Sequence, residues 1–290
     1  TGGADNDTIY GGSGSDIFKI SLGDGDDTIN GYELDGSNAL QNDVSNSDNA
    51  DTIDYSAITD ITYHLNANLS TTTNTVTNGT ITLTQTIYNI ENIIGTNGND
   101  IIIGSAENNT LEGGIGDDTL TGGLGNDRLV GGASASGGTG DWVNYSSQSQ
   151  ILVNLLNNGT VTVNSDQADG FESDDELDVL SGIEHIKGSN DAVYGADTIT
   201  GDNTNNSILG LAGDDVIDGG DENDSLDGGT ANDTLYGGDG ADTLTGGANN
   251  DKLYGGLKDT YIDIYDDILD GEDGDDIIYA SFQADDADAT

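Results

Sequence analysis

Gly210-Leu-Ala-Gly-Asp-Asp215-Val-Ile-Asp218 runs directly into Gly219-Gly-Asp-Glu-Asn-Asp224-Ser-Leu-Asp227 and Gly228-Gly-Thr-Ala-Asn-Asp233-Thr-Leu-Tyr236. Gly237-Gly-Asp-Gly-Ala-Asp242-Thr-Leu-Thr245 and Gly246-Gly-Ala-Asn-Asn-Asp251-Lys-Leu-Tyr254 continue the series. Extended back towards Gly195, the same register puts Asp197, Asn206, Asp215, Asp224, Asp233, Asp242 and Asp251 at place six of each nine. Place eight reads Ile199, Ile208, Ile217, Leu226, Leu235, Leu244 and Leu253. Self-similarity at a short fixed period marks a repeat architecture. Glycines at places one, two and four permit a tight turn through backbone conformations closed to residues with a Cβ. The three residues after the Asp, such as Thr234-Leu235-Tyr236, form a short strand whose middle side chain faces inward. Two nonapeptides then close one coil, and residues two repeats apart stack. This places Asp197, Asp215, Asp233 and Asp251 along one edge, with Asp224 and Asp242 along the other.

The same register governs a second block, with Asp100, Asn109, Asp118 and Asp127 at place six and Ile102, Leu111, Leu120 and Leu129 at place eight. A shorter block at the start gives Asp7 and Asp16 with Ile9 and Phe18, and isolated units surround Asp27 and Asp276. An edge of carboxylates and turn carbonyls is a hard-oxygen environment, which selects calcium over zinc or copper. Magnesium fits less well, because it prefers a compact octahedron that keeps its water.

These nonapeptides resemble the RTX repeat, Gly-Gly-x-Gly-x-Asp-x-apolar-x, of secreted bacterial proteins. The resemblance implies an all-β fold, a right-handed parallel β-roll that binds calcium between stacked turns. It also implies side-chain ligation by the place-six residue, carried here to Asp100, Asp118, Asp127, Asp197, Asp215, Asp224, Asp233, Asp242 and Asp251. Asp7, Asp16, Asp27 and Asp276 match with irregular stacking partners, and Asn109 and Asn206 would contribute an amide oxygen. The backbone carbonyls of Gly113, Gly122, Gly210, Gly219, Gly228, Gly237 and Gly246 complete the expected donor set. About ten calcium ions are expected, each a divalent hard cation.

A longer repeat overlies the short one. Asp51-Thr-Ile-Asp-Tyr55-Ser56 matches Asp141-Trp-Val-Asn-Tyr145-Ser146, and Ile90-Glu91-Asn-Ile93 matches Ile183-Glu184-His-Ile186. Thr80-Ile-Thr-Leu-Thr84 and Thr160-Val-Thr-Val-Asn164 alternate as half-buried strands do, and Asn78-Gly79 and Asn158-Gly159 before them are hairpin signals. The expected division is the end of a block at 1–30, an Asp/Asn-rich loop at 31–50, a β spacer at 51–94 and a block at 95–136. A second spacer at 137–187, a block at 188–254 and degenerate repeats with an acidic tail at 255–290 follow. No segment carries a 3.6-residue apolar period, so little helix is expected.

Composition narrows the function. The 290 residues include 55 Asp or Glu against 5 Lys or Arg, a formal charge of -50, with no Cys. Such a polyanion does not bind nucleic acid, which needs basic side chains to displace counterions. No apolar run approaches the about 20 residues of a bilayer span, so no membrane insertion is expected. Without cysteine there is no disulfide or thiolate metal site. Low hydrophobicity with this charge would signal disorder if the charges were scattered, but they recur in register. Without cations, each repeat's one buried aliphatic residue, worth about 1.5–3 kcal/mol, does not offset the backbone entropy of nine residues. Metal binding then supplies folding free energy directly.

His64 and His185 are the only histidines and form neither a triad nor a His-x-x-x-His pair. Paired carboxylates are too common to single out an acid/base pair. Tyr55, Trp142 and Tyr145 read as core packing where blocks meet spacers, and Asp285, Asp286 and Asp288 as a solvated tail. Ice-binding RTX regions of marine bacterial adhesins present outward Thr and Asn arrays; here Thr96 is a single occurrence. The expectation is therefore a non-enzymatic, secreted, extracellular structural or interaction region of a bacterial adhesin or S-layer-like surface protein. RTX resemblance implies type I export and folding on extracellular calcium, with other surface-protein copies or cell-surface polysaccharide as partners. The alternative is an accessory module of a secreted protease, lipase or alginate epimerase, aiding secretion, folding or polysaccharide binding.

Overall fold

The structure, a computed structural model, describes residues 2–32, 50–134, 138–155, 160–163, 176–256 and 266–280. Most of the expected loop at 31–50, the Asn158-Gly159 turn and the acidic tail from 281 lie outside the described residues. The chain divides into two units, Thr1–Trp142 and Val143–Thr290.

In the second unit the nonapeptides alternate between two sheets. One takes His185–Lys187, Ser207–Ala212, Ser225–Thr230, Thr243–Ala248 and Ile268–Asp273 in spatial order. The other takes Thr198–Thr200, Val216–Asp221, Thr234–Asp239, Lys252–Tyr254 and Ile277–Tyr279. Neighbours are parallel, with Ile199 opposite Ile217, Ile217 opposite Leu235 and Leu235 opposite Leu253. Ile208, Leu226 and Leu244 form the matching column in the facing sheet. Each of these side chains is 0–1% exposed, because the period-two pleat turns place eight inward. On the outer face Tyr236, Tyr254 and Tyr279 stack, with ring centroids 4.9 Å apart in both pairs.

The expected spacers continue the sheets. In the second unit Ile151–Asn154 pairs antiparallel with Thr160–Val163, which pairs antiparallel with Glu176–Ser181. Ile151–Asn154 also pairs parallel with Thr198–Thr200, the first strand of the following coils. In the first unit His64–Asn68, Thr73–Thr77 and Thr82–Tyr88 form the equivalent antiparallel set. His64–Asn68 lies parallel to Ile101–Ile103, and Thr82–Tyr88 parallel to Thr28–Asn30. Asn78-Gly79 turns the chain between the last two strands of the set, with Gly79 at φ 82° and Asn78 Oδ1 accepting the Thr80 and Ile81 N–H groups.

A tyrosine lies beneath each antiparallel set. Tyr55 is fully buried and its hydroxyl donates to Gln85 Oε1 at 3.5 Å; Tyr145 donates to the buried Asp178 carboxylate at 2.8 Å. Burial pushes the Tyr55 phenol pKa up. Trp142 is only partly buried. Among the described residues, no helix is long and apolar enough to cross a membrane.

Candidate calcium sites: the carboxylate ladders

The turn that joins two strands sets the site. At place two, Gly220 and Gly229 have φ of 109° and 105°, a region in which a Cβ is strained. The chain folds back so that the place-six carboxylate lies over the place-one glycine. A Cβ on Gly210 would strike both the Asp215 carboxylate and the Gly228 carbonyl of the next coil. Gly219 meets Asp224 and the Gly237 carbonyl in the same way, and Gly228 meets Asp233 and the Gly246 carbonyl. Glycine is required there because oxygen atoms occupy the space.

The carboxylates form ladders along both edges. Asp197 N–H donates to Asp215 Oδ1, Asp215 N–H to Asp233 Oδ1 and Asp233 N–H to Asp251 Oδ1, each at 2.8 Å. On the other edge Asn206 N–H donates to Asp224 Oδ1 and Asp224 N–H to Asp242 Oδ1, both at 2.8 Å. In the first unit Asp100 donates to Asp118 and Asn109 to Asp127, and Asp7 donates to Asp27. The structure thus joins the expected place-six residues by the stacking that the nonapeptide register implies.

Three further residues belong to the ladders. Asp16 N–H donates to Asp51 Oδ1, Asp118 N–H to Asp141 Oδ1 and Asp242 N–H to Asp267 Oδ1. Asp251 N–H reaches Asp276, across a separation of 25 residues. The available signal was the Asp-x-apolar triplet in Asp51-Thr-Ile53, Asp141-Trp-Val143 and Asp267-Ile-Leu269. A second, outer ladder at place five was also missed: Asn232 N–H donates to Asp214 Oδ1 and Ala241 N–H to Asn223 Oδ1.

The second carboxylate oxygen differs from the first. Oδ2 of Asp16, Asp27, Asp118, Asp215, Asp224, Asp233 and Asp251 is buried and accepts no hydrogen bond. A buried ionised oxygen without a partner is costly. Burial, opposed by the backbone N–H and reinforced by neighbouring carboxylates, pushes Asp118 and Asp215 up to about 8. Asp224 rises to about 8 and Asp233 to about 7, with burial again the leading cause. Among the described residues no three His, Asp or Glu side chains converge as a metal cluster, so a cation on these edges must draw on backbone carbonyls as well. Orphaned carboxylate oxygens beside carbonyls fit a hard divalent cation. Calcium, when bound, supplies the positive charge that lets these carboxyls ionise.

His64 is exposed, with Nδ1 3.1 Å from the Asn99 carbonyl. His185 is buried and its Nδ1 accepts the Ser207 N–H at 2.9 Å. Thr96 is 1% exposed, so it is not part of an outward array.

Stacked parallel coils with buried carboxylate edges define a calcium-binding β-roll. The family model for the RTX calcium-binding nonapeptide repeat matches residues 1–18, 19–33, 94–129, 191–226, 227–257 and 263–287, more than half of the chain. The chain belongs to that family, and its repeats bind calcium. A search of curated proteins finds no match.

Proposed function

We propose that this chain is a calcium-folded extender or interaction region of a type I-secreted bacterial surface protein, an adhesin or S-layer-like protein, and carries no catalysis of its own. The observation that supports this reading is the set of orphaned Oδ2 atoms on Asp16, Asp27, Asp118, Asp215, Asp224, Asp233 and Asp251. They make the coils depend on an external cation, as export in an unfolded state and folding outside the cell require. Asp127 and Asp242 occupy equivalent ladder places, and the glycine carbonyls named above complete the donors. Recurrence of the antiparallel set in both units suits a repetitive surface protein better than a single accessory block.

Calcium titration of chelator-treated protein tests the reading through far-ultraviolet circular dichroism. The β signal should rise cooperatively as calcium reaches the millimolar range, within the span of extracellular calcium modules at about 10⁻⁴–10⁻³ M. A spectrum indifferent to calcium would sink it.

A further inference from the structure

We infer that the first coil of the second block, and the equivalent coil of the first block, is closed by the protein's own hydrogen bonds and holds its fold without metal. Asp197, Asn206, Asp100 and Asn109 occupy the expected ligand place but differ from the residues one coil further on. Asp197 Oδ1 accepts the Ile151 N–H at 2.8 Å and its Oδ2 accepts the Ser189 N–H at 2.6 Å. Asp100 repeats this with Leu65 on Oδ1 at 2.7 Å and Thr96 on Oδ2 at 2.5 Å. Both carboxylate oxygens are satisfied, whereas Asp215 and Asp118 keep an orphaned Oδ2.

The two asparagines replace the cation by a different device. Asn206 Oδ1 accepts the Asp202 N–H at 2.8 Å while Nδ2 donates to the Glu184 carbonyl at 2.8 Å. Asn109 accepts from Ser105 at 2.6 Å and donates to the Glu91 carbonyl at 2.8 Å. An amide N–H thus bridges to the preceding backbone carbonyl, which a carboxylate oxygen cannot do unaided. The turns share one further feature. Thr96, Ser105, Ser189 and Asp202 each accept, through a side-chain oxygen, the N–H two residues on, at Gly98, Glu107, Asp191 and Thr204. Most later coils have glycine at this place, which has no side chain with which to close the turn.

Each opening coil also pairs with the preceding antiparallel set, through Ile151–Asn154 with Thr198–Thr200 and His64–Asn68 with Ile101–Ile103. It therefore forms a metal-free template, and calcium-dependent coils add to it in one direction. The inference rests on the calcium reading of those later coils.

Hydrogen exchange of the full chain, followed by mass spectrometry in chelator and in saturating calcium, separates the two ideas. Peptides within 95–112 and 188–209 should keep their protection in chelator, while those within 213–254 should lose it. Calcium-dependent protection in both sets overturns the template and leaves the calcium reading intact. Calcium-independent protection in both overturns both. Asn206→Asp provides a second arm, because it removes the bridging N–H. Protection of 201–209 should then become calcium-dependent, and a variant as protected in chelator as the parent would refute the bridge.

Discussion

The antiparallel strands and the nonapeptide coils share sheets yet hold together by different means. In Thr73–Thr77 and Thr82–Tyr88 the inward side chains include Val76, Leu83 and Ile87, with the polar Asn74 and Gln85 buried among them. In a coil strand such as Thr234–Asp239 a single inward aliphatic side chain, Leu235, lies beside the buried Asp233 carboxylate. The first design is neutral and compatible with a metal-free fold; the second leaves charge that only a proton or a cation can balance. The difference teaches that a single sheet can combine a constitutive part with a conditional one.

The sharpest way to break this contrast is pH in the presence of chelator. Asp118, Asp215 and Asp224 titrate at about 8 in the fold against an ordinary value of 3.8. Their raised pKa values mean that the folded coil binds more protons than the unfolded chain between those limits. Metal-free stability is thus fullest below about pH 4 and is lost as pH rises towards about 8. Acidifying chelated protein from pH 8 to about pH 5 should restore β signal in the coils, and calcium affinity should rise with pH. Loss of coil structure on acidification would contradict the origin assigned to the shifts.

Packing gives the next effect. Leu235→Ala should cost about 2–5 kcal/mol at saturating calcium and raise the calcium midpoint, because folding and binding are linked. Leu65→Ala, in an antiparallel strand, should cost a similar amount and leave the midpoint of 213–254 unchanged. Denaturant unfolding with parallel calcium titration reads both quantities; equal midpoint shifts would remove the distinction. The smallest effect belongs to the outer face. Tyr254→Leu breaks both ring stacks and should cost about 0.5–1.5 kcal/mol for each, measured in the same unfolding experiment.

Much of the coil architecture was legible because place six and place eight repeat in the chain as they do in space. Asp233 and Leu235 can be assigned to an edge and a core by counting alone. Asp51 and Asp267 could not, since the glycines they cover are Gly31 and Gly255, separated from them by more than a nine-residue window. Stacking follows three-dimensional register, and an excursion of any length can intervene. Nor did the motif distinguish Asp197 from Asp215. Their difference resides in whether a backbone N–H reaches Oδ2, as that of Ser189 does at Asp197 and none does at Asp215, which the identity of place six does not record.

The 25-residue steps from Asp242 to Asp267 and from Asp251 to Asp276 have an evolutionary consequence. Both edges absorb the same excess over the 18-residue step of Asp233 to Asp251, so one excursion leaves the two ladders in phase. Duplication or loss of a nonapeptide pair would do likewise, whereas a single nonapeptide would transpose every later strand to the opposite sheet. Growth by paired slippage, with grafts admitted at the turns, is the route by which such a chain can lengthen without rebuilding its interior.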